Sequence, residues 1–99
     1  MIFAEALHTL DDYKKFTSAL RVPVLANLTE FGQTPYFDLK ELASAGIAMA
    51  LYPLSASRAA AAAASEVYSA IRRDGTQRSV VARMQTRTEL YDVLGYRQK

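Results

Sequence analysis

Glu5, Asn27, Thr29, Tyr52 and Ser55 are the polar residues of this chain best placed to do chemistry, because each follows closely on a short apolar run. The runs are Ile2 to Ala4, Val24 to Ala26 and Ile47 to Leu51. If these are neighbouring parallel strands, their polar successors gather at one rim, the carboxyl end where α/β proteins bind ligands. The residues by themselves suggest a polar rim able to bind an anion. Arg58 stands shortly after Ser55, at the start of an alanine-rich helix, where a guanidinium can reach the same rim and clamp a carboxylate in bidentate fashion. Arg87 sits in Thr86-Arg87-Thr88-Glu89. The capping-box spacing there explains Thr86 and Glu89 but leaves Arg87 unassigned.

Each of these residues also has a plainer reading. Asn27 and Thr29 can close a local side-chain turn, Glu5 can be a solvated loop residue, and an arginine in a first helical turn is commonly a surface charge. His8 is the single histidine and the chain has no cysteine, so there is no cluster of soft or imidazole ligands for a metal. No Ser/His/Asp arrangement, phosphate-binding glycine loop or zinc spacing is present.

The elements that must position these groups follow from periodicity. Leu10, Tyr13, Phe16 and Leu20 fall at helical spacing, with Thr9 and Asp12 as an amino-terminal cap, and Arg21-Val22-Pro23 ends that helix. Val24 to Ala26 and Ile47 to Leu51 read as strands buried on both faces. Thr29 to Phe37, with Gly32 and Pro35, is a loop. Asp38 caps a short helix bearing Leu39, Leu42 and Ala43, which Gly46 stops. A long helix runs from Ser55 or Ser57 to about Arg73 and ends at Asp74-Gly75-Thr76. Its tract Ala59 to Ala64 reads as packing, since alanine favours helix and permits close approach to a sheet. A helical turn near Ser79 to Met84 and a last helix near Thr88 to Leu94 complete the chain. Strand starts near Ile2, Pro23 and Ile47 give the repeat of consecutive β/α units, in a parallel barrel or a doubly wound sheet.

A length of 99 residues fits one domain with a modest core. A net charge of +2, with its basic residues dispersed apart from a modest cluster between Arg72 and Arg87, lacks the concentrated stripe and stacking aromatics of a nucleic-acid surface. No apolar run reaches the ~18 residues of a membrane span, and the start has no signal-peptide pattern. The expectation is a soluble cytoplasmic protein with neither nucleic-acid nor membrane partners.

Several segments, taken in order, carry a resemblance: Phe3-Ala4-Glu5-Ala6, Pro23-Val24-Leu25-Ala26-Asn27-Leu28-Thr29-Glu30-Phe31-Gly32, Met49-Ala50-Leu51-Tyr52-Pro53-Leu54-Ser55, Gly75-Thr76-Gln77 and Met84-Gln85-Thr86-Arg87-Thr88-Glu89-Leu90-Tyr91. Together they resemble the carboxyl-terminal part of the methylisocitrate lyases, a family of the isocitrate lyase and phosphoenolpyruvate mutase superfamily. The resemblance covers nearly the whole chain.

It implies an α/β fold made of the last three β/α units of a (β/α)8 TIM-type barrel, a fold of typically ~250 residues, together with carboxyl-terminal helices that subunits exchange. It implies cleavage of 2-methylisocitrate to pyruvate and succinate with Mg²⁺. The family's substrate contacts fall on Glu5, Asn27, Leu28, Thr29, Arg58 and Arg87. By that resemblance the arginines pair with carboxylates of a tricarboxylate substrate, and Glu5 lies on the metal side. The family's magnesium-holding aspartates and its cysteine loop belong to earlier barrel strands and have no counterpart in these residues. Ala4 replaces the proline usual before the glutamate, and Met1 falls inside a strand, which points to an excised or truncated segment. The expectation is therefore a substrate-binding portion without catalytic machinery, inactive alone, in a homo-oligomer or paired with a complementing amino-terminal half. Two other readings stand beside it: a non-catalytic assembly module, and a segment of a superfamily member acting on isocitrate, oxaloacetate or a phosphonate.

Overall fold

The computed structural model of the chain describes residues 1–97. Its elements are β1 (Ile2–Ala4), α1 (Leu10–Ala19), β2 (Val24–Asn27), α2 (Leu39–Ser44), β3 (Met49–Leu51), α3 (Ser55–Asp74), a 3₁₀ helix (Arg78–Arg83) and α4 (Arg87–Leu94). The strands form one parallel sheet in the order β1-β2-β3. Parallel neighbours require a crossover, and α1 and α2 supply the two. The register aligns Phe3 with Leu25 and Met49, and Ala4 with Ala26 and Ala50.

Local chemistry sets the element ends. The Thr9 hydroxyl accepts from the Asp12 N–H at 3.1 Å, satisfying one of the free donors of the first turn of α1. Asp38 and Glu41 form a reciprocal capping box at α2, each carboxylate accepting a backbone N–H at 2.8 Å. Beyond α2 the chain turns through Gly46 at φ +81°, a conformation that a Cβ disfavours. Space is short there as well, since a Cβ would meet Thr17 Oγ1 at 2.8 Å.

The chain forms two compact units, Met1–Ala59 and Ala60–Lys99. In the first, Ala4, Val24, Ala26 and Leu28 on one sheet face pack with Tyr13 of α1 and with Leu42 and Ala45 of the α2 segment. Alternation along a strand sends Phe3, Leu25, Met49, Asn27 and Leu51 to the other face. That face is open: Phe3 is 50% and Met49 47% exposed. The strands thus depart from the expectation of burial on both faces. Both crossover helices cover one side, and no other element of the first unit covers the other. β3 is also shorter than the apolar run that suggested it, because Ile47 N–H bonds back to the Leu42 carbonyl at 3.1 Å and still belongs to the exit from α2.

In the second unit Ala70 and Val80 are buried. Arg73 donates to both oxygens of Asp74 at 2.7 and 2.8 Å, and Ser79 donates to the same carboxylate at 3.1 Å. Arg83 pairs with Glu66. Residues 60 to 64 are not buried by any element of their own unit. Ala60, Ala63 and Ala64 instead line an open hollow of about 370 Å³ with Val67, Val80 and Met84. α4 carries the capping box read from its sequence, with Thr86 and Glu89 bonded reciprocally, and ends at Gly95 in the left-handed region. None of its side chains is buried.

Candidate functional site

β1, β2 and β3 run parallel and in register, so their carboxyl ends form one rim. Asn27 is the last residue of β2 and shares the open sheet face with Leu51, its register partner. Glu5 follows Ala4, the partner of Ala26, so it leaves β1 beside Asn27. It is exposed, and the chain bends directly after it through Ala6 at φ +51°. Glu5 makes no ion pair among the described residues.

The Thr29 hydroxyl donates to Asn27 Oδ1 at 3.3 Å, so the local side-chain turn is present. It takes one lone pair of the Asn27 carbonyl and leaves the amide N–H₂ without a hydrogen-bond partner among the described residues. Leu28 is buried, with 5% of its surface exposed, and its N–H donates to the Leu51 carbonyl at 2.8 Å. That bond extends the β2–β3 ladder past Asn27 and fixes the height at which Thr29 and Glu30 leave the sheet.

The β2–α2 loop and the start of α3 meet through charge. The Ser55 hydroxyl donates to Glu30 Oε1, and Arg58 Nε lies 3.6 Å from Glu30 Oε2. The Ser55 hydrogen bond, with help from the loop backbone and the nearby guanidinium, holds the Glu30 carboxyl below its usual range. The Arg58 guanidinium carbon also lies 5.3 Å from the centroid of the Phe31 ring, within the range of a cation–π contact. Phe31 is 85% exposed and takes φ +62°, an uncommon conformation for an aromatic residue. The Tyr36 hydroxyl accepts the Phe31 N–H at 3.2 Å and so supports that turn. A hollow of about 290 Å³ opens at this place, lined by Leu28, Glu30, Tyr36, Phe37, Tyr52 and Ser55.

Arg58 is therefore neither a free surface charge nor fully engaged. Its side chain makes no hydrogen bond among the described residues, which leaves its N–H donors for a ligand. Arg87 is the first residue of α4, in the second unit, and is exposed. The first unit thus brings Glu5, Asn27, Leu28, Thr29 and Arg58 to one end of the sheet or to the loops leaving it. His8 makes its contact elsewhere, pairing Nε2 with Gln33 Oε1 at 2.9 Å between the first two loops.

Glu30 and Phe31 belong to this site and were not picked out by residue type, although both stand in the motif that carries the resemblance. The signal for Glu30 was an acidic residue in the loop after one strand and a basic residue just after the next, which parallel topology makes neighbours. Among the described residues no group of three or more His, Asp or Glu side chains is placed to hold a metal ion. Glu30 is already committed to Ser55 and Arg58, so Glu5 alone does not make a site for Mg²⁺. No helix of the described residues is long and apolar enough to cross a membrane.

No protein-family model matches the chain. The 2-methylisocitrate lyase of Escherichia coli (strain K12) is 55% identical over 98 residues, spanning 99% of this chain and 33% of that protein. The 2-methylisocitrate lyase of Shewanella oneidensis is 55% identical over 96 residues, spanning 97% of this chain and 33% of that protein. A crystal structure of 2,3-dimethylmalate lyase, a PEP mutase/isocitrate lyase superfamily member, matches 94% of this chain and 32% of its own, with a TM-score of 0.79 and 26% identity. The chain spans about a third of the length of the curated relatives it matches. Its sequence and its fold agree in placing it: over these residues the chain belongs to the 2-methylisocitrate lyases of the PEP mutase/isocitrate lyase superfamily and corresponds to their carboxyl-terminal part.

Proposed function

We propose that this chain supplies the carboxylate-binding rim of a 2-methylisocitrate lyase and does not by itself break the carbon–carbon bond. The observation that carries this reading is Arg58, steered by Glu30 and Phe31 at the carboxyl end of the sheet with its N–H donors unspent. A planar fork of N–H groups matches the geometry of a carboxylate better than any other side chain does. Asn27 would donate its amide to a carboxylate or hydroxyl oxygen, and Thr29, held by Asn27, would keep that amide in place. The buried Leu28 would act through its backbone, setting the height of both neighbours. Arg87 is assigned to a second substrate carboxylate, and Glu5 to the metal side of the pocket, on the resemblance alone. These residues would bind and orient the substrate.

The architecture supports a partial barrel. Three consecutive parallel β/α units in sequence order, with the intervening helices on one face, are what a stretch of a (β/α)8 barrel looks like. The open apolar face and the unpaired edges of β1 and β3 favour a companion reading, in which the segment is also an assembly module completed by further strands from a complementing half. Identity of 55% to 2-methylisocitrate lyases, against 26% to 2,3-dimethylmalate lyase, favours the tricarboxylate over other superfamily substrates.

The test uses a chimaera in which this chain replaces the matching third of the Escherichia coli lyase. It should release pyruvate from 2-methylisocitrate with Mg²⁺, whereas the chain alone should release none above background. Arg58→Met or Arg87→Met in the chimaera should raise KM on the order of 30-fold, corresponding to about 2 kcal/mol for a lost charge-assisted contact. Turnover by the isolated chain, or a folded chimaera without activity, would overturn the proposal.

A further inference from the structure

We propose that Glu30 and Phe31 are positioning residues that hold the Arg58 guanidinium in one plane and direct its free edge toward a ligand carboxylate. The inference rests on the reading of Arg58 as a carboxylate-binding residue and goes beyond it by assigning what aims it.

An arginine side chain has about 2 kcal/mol of rotamer entropy to lose on ordering, so an exposed guanidinium used for recognition gains when its own protein orders it first. Arg58 starts one turn into α3, with its N–H bonded to the Leu54 carbonyl at 2.8 Å, so the backbone end is fixed. Two contacts then constrain the far end. Glu30 Oε2 lies 3.6 Å from Nε, an ion pair without a hydrogen bond, and so faces the inner edge of the fork. The opposite edge, the two Nη groups, is the one that can take a carboxylate with two parallel hydrogen bonds. Phe31 contacts the guanidinium carbon through its ring at 5.3 Å, which restricts rotation of the plane.

Both brackets are themselves fixed. Glu30 has its other oxygen bonded by Ser55, so the carboxylate cannot turn without losing that bond. Phe31 sits at φ +62°, and its N–H is taken by the Tyr36 hydroxyl at 3.2 Å. An exposed phenylalanine in a left-handed backbone carries a cost of roughly 1–2 kcal/mol that a packing role in the core does not explain, since 85% of its surface is in solvent. The turn does, however, set its ring against Arg58. A neutral bracket would order the arginine equally well, but the Glu30 carboxylate facing Nε also repels a ligand carboxylate from that edge and so favours its approach at the Nη edge.

The experiment uses the full chain, with the Arg58 Nε–Hε resonance as the readout and tricarballylate (propane-1,2,3-tricarboxylate) as the probe. In the parent chain that resonance should be resolved from the bulk arginine signals and should shift on titration. Glu30→Gln and Phe31→Leu should each move the resonance toward the bulk position and weaken the apparent affinity by about fivefold, the upper range for an exposed ion pair. Phe31→Trp keeps a ring against the guanidinium and should restore both. Phe31 is exposed, so its variants carry the test even if Glu30→Gln compromises folding. An unchanged Arg58 resonance and unchanged affinity in Glu30→Gln and Phe31→Leu would overturn the positioning role while leaving carboxylate binding intact. A resolved Arg58 resonance that tricarballylate does not move would instead overturn the carboxylate reading, and the positioning role with it.

Discussion

Replacing Gly46 with alanine adds one methyl group where the α2-to-β3 connection passes α1, and the cost can be worked out from the geometry. An L-residue at φ +81° costs roughly 1–2 kcal/mol relative to glycine. The new Cβ would lie 2.8 Å from Thr17 Oγ1 and 3.2 Å from Thr17 Cβ, so Thr17 must give way. Its hydroxyl is not free to move, because it donates to the Ala45 carbonyl at 2.7 Å; swinging it aside forfeits a hydrogen bond of about 1 kcal/mol. The lower entropy of an unfolded alanine chain returns about 0.4–1 kcal/mol. The balance is a destabilisation of about 2 kcal/mol, equivalent to roughly 10 °C in Tm for a domain of this size. Urea unfolding of the 99-residue chain followed by far-UV circular dichroism measures it. In a Thr17→Ala background the same substitution should cost about 1 kcal/mol less, since the obstructing oxygen and its bond are already gone. A Gly46→Ala chain as stable as the parent, or an equal cost in both backgrounds, would refute the assignment of strain and clash to this turn. The consequence reaches the site, because this connection sets where β3 delivers Tyr52 and Ser55.

Leu42→Ala should destabilise the chain by about 2–5 kcal/mol in the same assay, since Leu42 is 1% exposed and joins α2 to the sheet. Acidification should weaken the structure through three carboxylates held below their usual range: Glu30 by Ser55, Asp74 by Arg73, and Glu89 by the Thr86 backbone and hydroxyl. Because the folded state binds those protons more weakly than the unfolded state does, their contribution is complete above the ordinary carboxylate pKa of about 4 and is lost as pH falls through the lowered values. Urea midpoints from pH 7 to pH 3 should therefore decline at the acid end, and Glu89→Gln should flatten part of that decline. At alkaline pH the sign reverses for Tyr13, whose burial pushes its pKa up: its contribution is complete below about pH 10 and is lost above it, readable as a late tyrosinate absorbance at 295 nm.

Caps and turns were legible because their chemistry is local. Thr9 with Asp12, Asp38 before α2, Gly46 after it, and Thr86 with Glu89 each act within a few residues, so side-chain type and spacing suffice. The polar ends of the three apolar runs were legible for a similar reason, since strand alternation and a turn signal are short-range patterns. The Asn27–Thr29 contact shows that the plain and functional readings of one motif can both hold.

What the sequence determined by itself is therefore the element order, their caps, the residues at the strand ends, and the family to which they belong. What only the tertiary structure decided is which face of the sheet the crossover helices cover, and that Phe31 and a Glu30 held by Ser55 converge on Arg58. The physical reason is range. Caps are closed by neighbours three residues apart, whereas Glu30 and Ser55 are 25 residues apart and become partners only because β2 and β3 pair in parallel and in one register.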